Sequence, residues 1–587
     1  MTETTQQPKT AEELIADMEN AFRAGELGLT ALAIWELTHR FPDDASVARI
    51  YTKKLLRDPE LSSVTLDILR SDARALRKQE NPDQVAQLAA LGLLKFPRDR
   101  YLTLCLVDVA EQLKRLEWAG PALNALGPPA DDDVVLLNAN AALAQTEGNY
   151  DIACQFFARL HQMEPTNETI IQNYSASLIG LKRHPEAIEL LEKNLGNAKE
   201  PKSFVNRLTY IYHADGLNVA ERLRLIDRRF FSDCKSQKAA KVHADISLFL
   251  QDFDEVIRGL SALNEFERDP VTEYEIAEAE FTLNRLDEAL RHYAVRFEAF
   301  PYLEYCRPSA ARYHGQFLKD ETLFVWGEQG IGDELLFSLF YEELANRVKN
   351  VTVAMDLRVA APLARRYPDW TFIDRHAIGE DVPDTDFACP SGDLFILFLR
   401  EMLDSGKRFT QPLFMPDEGR AAEIIGLLGE KLRPRIGISW RGGTEVHGKI
   451  RSVDLPTLMK GLPENADVDV ISFQYDADHE NEVIEHGDRR IALSGLDNRQ
   501  DLEGVFSLMS QCDAVLSVDN AVAHFACFLG VPTYVLTPAG QTQFRWKNKA
   551  LRNLFFPTAE LIRQPAPGHW DSAIKDAWEL LLSNVGR

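Results

Sequence analysis

Through the first half of this 587-residue chain a small residue followed four positions later by a bulky one recurs at a fixed interval. The pairs are Ala119/Leu123, Ala153/Phe157, Ala187/Leu191 and Ala289/Tyr293; the first three stand 34 residues apart, and the last follows after 102, three such intervals. Four-residue spacing puts both side chains on one face of a helix. A period in the range of about 20 to 50 residues marks a supersecondary unit that buries its apolar face only by stacking on its neighbours. Val256 and Ala220 fill the gap with slips of register. Pro165 and Pro301, each twelve residues after the small residue of its unit, fall where a second helix would close, and Phe41-Pro42 and Phe96-Pro97 mark weaker copies upstream.

This pattern resembles tetratricopeptide repeats (TPRs) over residues 15–305. The usual Trp, Leu-Gly and Tyr of the first helix are mostly missing, so the number of units stays open. The resemblance implies a superhelix whose concave face binds an extended chain. Residues 1–14 are expected to be disordered.

After the stretch from Pro301 to Asp320 the texture changes. Short apolar runs alternate with helical ones: Leu323–Trp326, Val351–Ala354, Thr371–Ile373, Ile436–Trp440, Val468–Ser472, Ala514–Ser517 and Thr533–Leu536. Such alternation predicts doubly wound parallel sheets. A break from Pro412 to Pro434, containing a helix expected over Glu418–Leu432, separates a half at 321–415 from a half at 434–587 with a terminal helix. Two Rossmann-like halves facing each other make a cleft.

Composition narrows the partners. A formal charge of -25, from 90 acidic and 65 basic residues, argues against nucleic acid as the main partner. No run reaches the roughly 18 apolar residues of a membrane span, and the start lacks the features of a signal peptide, so a cytoplasmic protein is expected. The seven cysteines are scattered and never in Cys-x-x-Cys spacing, which points to reduced thiols rather than disulfides or zinc. Carboxylate pairs such as Asp131–Asp133, Asp384/Asp386 and Asp476/Asp478 are what an acidic chain produces freely, so no metal and no cofactor is expected.

Three loops could carry chemistry, because each follows a strand at the edge where parallel sheets bind ligands. Gly327, Gly330 and Gly332 lead into Asp333, read either as a helix cap or as a carboxylate that accepts a proton from an attacking hydroxyl. Ser439-Trp440-Arg441-Gly442-Gly443, followed by His447, Lys449, Arg451 and Ser452, is either a solvated basic loop or a set of cations for a departing diphosphate. In Val518-Asp519-Asn520-Ala521 a helix begins whose amides could bind phosphate oxygens, with His524 one turn on; a buried, structurally bonded histidine is the alternative. Arg545 and Trp546 are read as lining a base or sugar pocket or as packing. There is no Gly-x-x-x-x-Gly-Lys-Ser/Thr loop and no Gly-x-Ser-x-Gly elbow.

Taken together, Gly330-Ile-Gly332-Asp333, Arg451-Ser452 after Trp440, and Asp519-Asn520-Ala-Val-Ala-His524 with Gly530-Val-Pro532 resemble glycosyltransferase family 9, the heptosyltransferase-type GT-B enzymes. The resemblance implies Asp333 as the base or acceptor-orienting residue. It also implies a donor site drawn from Gly330, Gly332, Arg441, Lys449, Arg451, Asp519, Asn520, Ala521 and His524. Where the family has Asp-Thr-Gly-x-x-His, Asn520 and Ala521 replace threonine and glycine. The whole chain resembles bacterial fusions of TPRs to such a domain, some of which modify flagellin. In architecture it also resembles the protein O-linked glycosyltransferases. The expectation is an inverting glycosyltransferase moving a sugar from a nucleotide-sugar to Ser/Thr hydroxyls of a protein acceptor, flagellin among the candidates, held by the repeats. Two other readings stand beside it: a non-enzymatic TPR adaptor with a degenerate GT-B half, and a lipopolysaccharide glycosyltransferase.

Overall fold

The computed structural model of the protein describes residues 9–306, 308–378, 381–406, 413–428, 430–443, 447–476, 480, 483, 491–539 and 544–585. Two compact units divide at Phe204/Val205. The first is helical; the second begins with helices and continues into two parallel sheets. The expected architecture, helical repeats followed by a two-sheet α/β region, is therefore the one the chain adopts.

The repeat period is written in the turns. Backbone φ is positive at Glu80, Lys114, Gly148, Lys182, Gly216, Gln251 and Asn284, at intervals of 34 residues four times and then 35 and 33. At each site the next residue donates its N–H to the carbonyl five positions back: Asn81 to Leu76, Arg115 to Ala110, Asn149 to Ala144, Arg183 to Leu178, Leu217 to Tyr212, Asp252 to Ser247 and Arg285 to Glu280, at 2.7–3.4 Å. This is the six-to-one bond of the Schellman helix stop. It ends the first helix of seven hairpins, from Leu66–Lys78 with Pro82–Lys95 to Pro270–Thr282 with Leu286–Tyr293. All four small/bulky pairs read from the sequence are buried, as is Val256. Ala220, on the helix Val219–Phe230, is only partly so.

Residues 1–8 lie outside the described residues, but the expectation of disorder to residue 14 does not hold: a helix runs over Ala11–Ala24. Thr10 and Glu13 form a capping box, and Leu14 is buried. The helix expected over Glu418–Leu432 is shorter, Glu418–Leu428.

The first sheet contains β1 (Ala311–Arg312), β2 (Leu318–Trp326), β3 (Val348–Met355), β4 (Thr371–Asp374) and β5 (Phe387–Pro390) in the order β1-β5-β2-β3-β4. The second contains β6 (Arg435–Ser439), β7 (Asp469–Ser472), β8 (Ile491–Leu493), β9 (Ala514–Val518), β10 (Thr533–Thr537) and β11 (Ala559–Arg563) in the order β11-β10-β9-β6-β7-β8. Every pairing between strands of the two sheets is parallel. Strand order reverses direction between β2 and β5 in one sheet and between β6 and β9 in the other. Such switch points open a crevice at the carboxyl ends of the strands.

One hydrophobic core joins the last repeat hairpin to the first sheet. Ala277, Phe281, Leu286, Ala289 and Tyr293 pack in the same cluster as Leu323, Val325, Leu335 and Phe395. The compact unit that starts at Val205 therefore holds the last repeat hairpin and both sheets.

Candidate functional site

The crevice between β2 and β5 is occupied by the protein's own charges. Glu328, two residues beyond β2, accepts from Gly392 N at 2.6 Å and takes a bidentate pair from Arg296, Nε to Oε2 at 2.7 Å and Nη2 to Oε1 at 2.9 Å. Arg296 Nη2 also reaches Asp393 Oδ1 at 2.7 Å. The Arg296 and Glu328 side chains are 1% and 0% exposed. Fork geometry satisfies both ions, which is what makes burial of the pair tolerable. Gln329, next along, donates from Nε2 to Tyr293 Oη at 3.1 Å.

From there the chain turns into the helix Ile331–Ser338. Asp333 Oδ2 accepts from Gly330 N at 3.2 Å, so the capping reading is met by one oxygen. The other oxygen, Oδ1, lies 2.6 Å from Arg545 Nη2, off the hydrogen-bonding direction, so the contact is an ion pair; Asp333 Oδ1 and Arg545 Nε are buried without a hydrogen bond. The carboxylate therefore has a fixed orientation and a cation against one face. Its side chain remains 18% exposed.

The crevice between β6 and β9 is built differently. Asn520 opens the helix Ala521–Phe528 as its N-cap: Oδ1 accepts from Val522 N at 3.0 Å and Ala523 N at 3.4 Å. Its Nδ2 crosses to β6, donating to Ser439 Oγ at 2.8 Å and Arg441 O at 3.0 Å. Ser439 in turn donates to Gln474 Oε1 at 2.9 Å, and Gln474 Nε2 donates to Asp476 at 2.7 Å. Arg441 completes the ring with two bonds to Asp476, at 2.9 and 3.1 Å. Two amides that a phosphate would have taken are thus already capped, while the Ala521 amide lies outside this cap.

Asp519 is buried and pinned from two sides. Trp546 Nε1 donates to Oδ1 at 2.8 Å, and Arg451 donates to the Asp519 carbonyl at 3.0 Å with its guanidinium 3.4 Å from Oδ2. Arg451 is 20% and Arg441 32% exposed, so both reach the rim of the crevice. The side chains of Lys449 and His447, and Asp478, lie outside the described residues.

His524 bridges the two sheets. It is buried, its Nδ1 is 3.2 Å from Gly332 O, and it meets Trp546 edge-on at 5.3 Å and Phe556 at 5.1 Å. Burial, with the Arg545 charge adding to it, lowers its pKa to about 4. A neutral ring whose Nδ1 faces a carbonyl carries its proton there and donates it. A Cβ at Gly332 would stand 3.2 Å from Nδ1, a tight contact that the ring could accept only by giving way by a few tenths of an ångström. Arg545 and Trp546 are buried too, which favours the packing reading over an open sugar pocket.

The structure thus brings Gly332, Asp333, Arg451, Asp519, Asn520 and His524 into one neighbourhood, with Arg441 at its rim. Gln474 and Glu278 go unread in the sequence, Ser439 is read there only as part of its loop, and Arg545 only as pocket lining or packing, without its partner Asp333. Three of these lie at or beyond the carboxyl end of a strand, the rule that found the rest. Among the described residues no group of three or more His, Cys, Asp or Glu is placed to hold a metal ion, and no helix is long and apolar enough to cross a membrane.

No protein-family model matches the chain. Protein FlbA of Caulobacter vibrioides is 24% identical over 504 residues, spanning 81% of this chain and 80% of that protein. Among solved structures, ADP-heptose lipopolysaccharide heptosyltransferase II of E. coli is 17% identical, covering 45% of this chain and all of its own, with a TM-score of 0.32. An O-GlcNAc transferase from Thermobaculum terrenum is 14% identical, covering 78% of this chain and 92% of its own, with a TM-score of 0.24.

Proposed function

We propose that the protein is a glycosyltransferase that moves a sugar from a nucleotide-sugar to hydroxyls of a protein acceptor recruited by the repeats, with inversion at the sugar carbon. The observation that carries this reading is the meeting of Asp333 with the Asp519–His524 turn, linked by the His524–Gly332 bond and the Arg545–Asp333 pair. Arg451 and Arg441, partly exposed at the rim of the β6/β9 crevice, supply positive charge for a diphosphate leaving group, together with the Ala521 amide. Lys449 belongs to the same expected set. Asp333, with one oxygen held against Arg545, is suited to orienting an acceptor hydroxyl and drawing its proton as the bond forms. Flagellin is one acceptor to test, and the expected reaction needs neither metal nor cofactor.

The test is co-expression with acceptor proteins, with and without Asp333→Ala, followed by intact-mass measurement. A sugar-sized mass increase on an acceptor, lost in the folded variant, is expected; transfer unchanged by Asp333→Ala contradicts the role. A second reading, a TPR adaptor with a degenerate α/β half, draws on two facts. Asn520 spends its side chain on capping and crevice bonds, and Asp333 has its charge matched internally. That reading predicts no nucleotide binding at all.

A further inference from the structure

The helix Pro270–Thr282 opens the last repeat hairpin, and three of its residues, Tyr274, Glu278 and Phe281, share one face by their spacing. Phe281 stacks on Phe544 with ring centroids 4.5 Å apart and planes 28° apart. Its carbonyl accepts from Asn548 Nδ2 at 2.5 Å. Glu278 Oε2 accepts from Phe544 N at 3.1 Å. Phe544 is the first residue of the helix Phe544–Lys547, and Asn548 follows its last.

One turn of helix does not hold itself together, because nucleation fixes several backbone dihedrals for a single hydrogen bond. Phe544–Lys547 is such a turn, and it carries the two side chains that organise the site: Arg545 against Asp333 and Trp546 against Asp519. Its shape therefore depends on the anchors at its two ends, both of which come from the repeat helix. The Phe281 anchor is ring packing and a main-chain carbonyl. The Glu278 anchor is a side chain that a substitution can remove alone.

We propose that Glu278 is a positioning residue of the candidate site: by accepting the Phe544 N–H it sets the helical turn that aims Arg545 at Asp333 and Trp546 at Asp519. What Asp333 and Asp519 then do rests on the reading under Proposed function; the positioning itself does not. The repeat array then ends inside the site, so the acceptor-recruiting and sugar-transferring parts share a residue.

The experiment uses the full chain labelled with 5-fluorotryptophan. Of its eight tryptophan resonances, the one lost in Trp546→Phe belongs to Trp546. Glu278→Met, similar in length but lacking the acceptor, is expected to move or broaden the Trp546 resonance and leave the others in place. Glu278→Gln keeps an oxygen that accepts the same N–H and is expected to restore the wild-type position. Glu278→Ala is read in the same way should Glu278→Met fail to fold. A Trp546 resonance unmoved by loss of the acceptor, or moved as far by Gln as by Met, overturns the proposal. Thermal-shift titration with UDP, GDP, ADP and CDP separates the two readings. Where one of them binds, Glu278→Met is expected to weaken it by about tenfold and Glu278→Gln to spare it. If none binds the wild-type protein, the functional reading fails while the positioning claim is still judged by the resonance.

Discussion

The two switch points of this molecule solve the same geometric problem in opposite ways. Between β2 and β5 the crevice is filled by Arg296, Glu328 and Asp393, with the Arg296–Glu328 pair almost wholly excluded from solvent. Between β6 and β9 the neutral groups Asn520, Ser439 and Gln474 sit beside the carboxylates Asp476 and Asp519, and the arginines that face these, Arg441 and Arg451, stay partly exposed. A buried fork pair cannot exchange its partner for a ligand without stranding a charge. Arg441 and Arg451 keep contact with water, so each can meet an added anion while it stays against its carboxylate. The difference teaches that one crevice has become a structural joint to the repeats, while the other keeps partly exposed cations, as the proposed diphosphate site requires.

The comparison breaks first if the joint is dispensable. Deleting residues 1–305 removes Phe281, Leu286 and Tyr293 from the shared core, a loss of roughly 7 kcal/mol in burial alone. That fragment is expected to be insoluble or molten, whereas residues 205–587 are expected to give a soluble protein with a cooperative melt. A well-folded 306–587 fragment, by circular dichroism and calorimetry, would refute the joint and revive a lipopolysaccharide-type enzyme independent of the repeats.

Next in size, Arg296→Met strands Glu328 and is expected to cost about 3–5 kcal/mol in denaturant unfolding. Pairing it with Glu328→Gln should recover much of that loss. If the single change costs under about 1 kcal/mol, the first crevice is not held as described.

The bridge between the sheets gives a pH signature. His524 has a folded pKa of about 4, below its ordinary 6.5, so between these values the unfolded chain binds the proton more readily and stability falls as pH falls. The effect amounts to as much as about 3 kcal/mol. Glu334 is raised by burial to about 7, against the opposing pull of Arg375, and works in the other direction: its protonated form is favoured in the fold, and stability is lost as pH rises from about 4.5 through 7. The histidine contribution is isolated by comparing melting curves of wild type and His524→Leu from pH 7 to pH 4. A smaller decline on acidification is expected in the variant, and equal declines would contradict a buried neutral ring.

Smallest is the floor of the second crevice. Asn520→Ala removes the N-cap and the bonds to Ser439 on β6 and to Arg441 just beyond it, for about 2 kcal/mol, with the loss seen in the second half by hydrogen exchange.

Much of the fold was legible because its signals are local. The seven strands named from apolar runs are all present, since buried parallel strands read as continuous hydrophobic segments. Four strands go unread: β5, Phe-Ala-Cys-Pro, and the edge strand β11, which alternates, carry weaker runs, and β1 and β8 are only two and three residues long. The repeat number was hidden because, of the seven left-handed helix stops spaced at this period from Glu80 to Asn284, five are occupied by Glu, Lys, Gln or Asn instead of glycine. The candidate site was legible residue by residue at strand ends but not in its pairings. Asp333 and Arg545 lie 212 residues apart, and nothing local in either announces the other. Asn520 read as the loss of a phosphate-binding hydroxyl, and the structure gives it a second occupation as cap and cross-strand bridge.

The measurement that bears most directly on the account is calorimetric titration of the full-length protein and its Arg451→Ala variant with UDP, GDP, ADP and CDP. At least one nucleotide should bind the wild type. Arg451→Ala, which removes a charge-assisted contact of about 1.5–3 kcal/mol, should weaken that binding by about tenfold or more. Binding of none of the four, or an affinity indifferent to Arg451→Ala, would contradict the β6/β9 crevice as a diphosphate site.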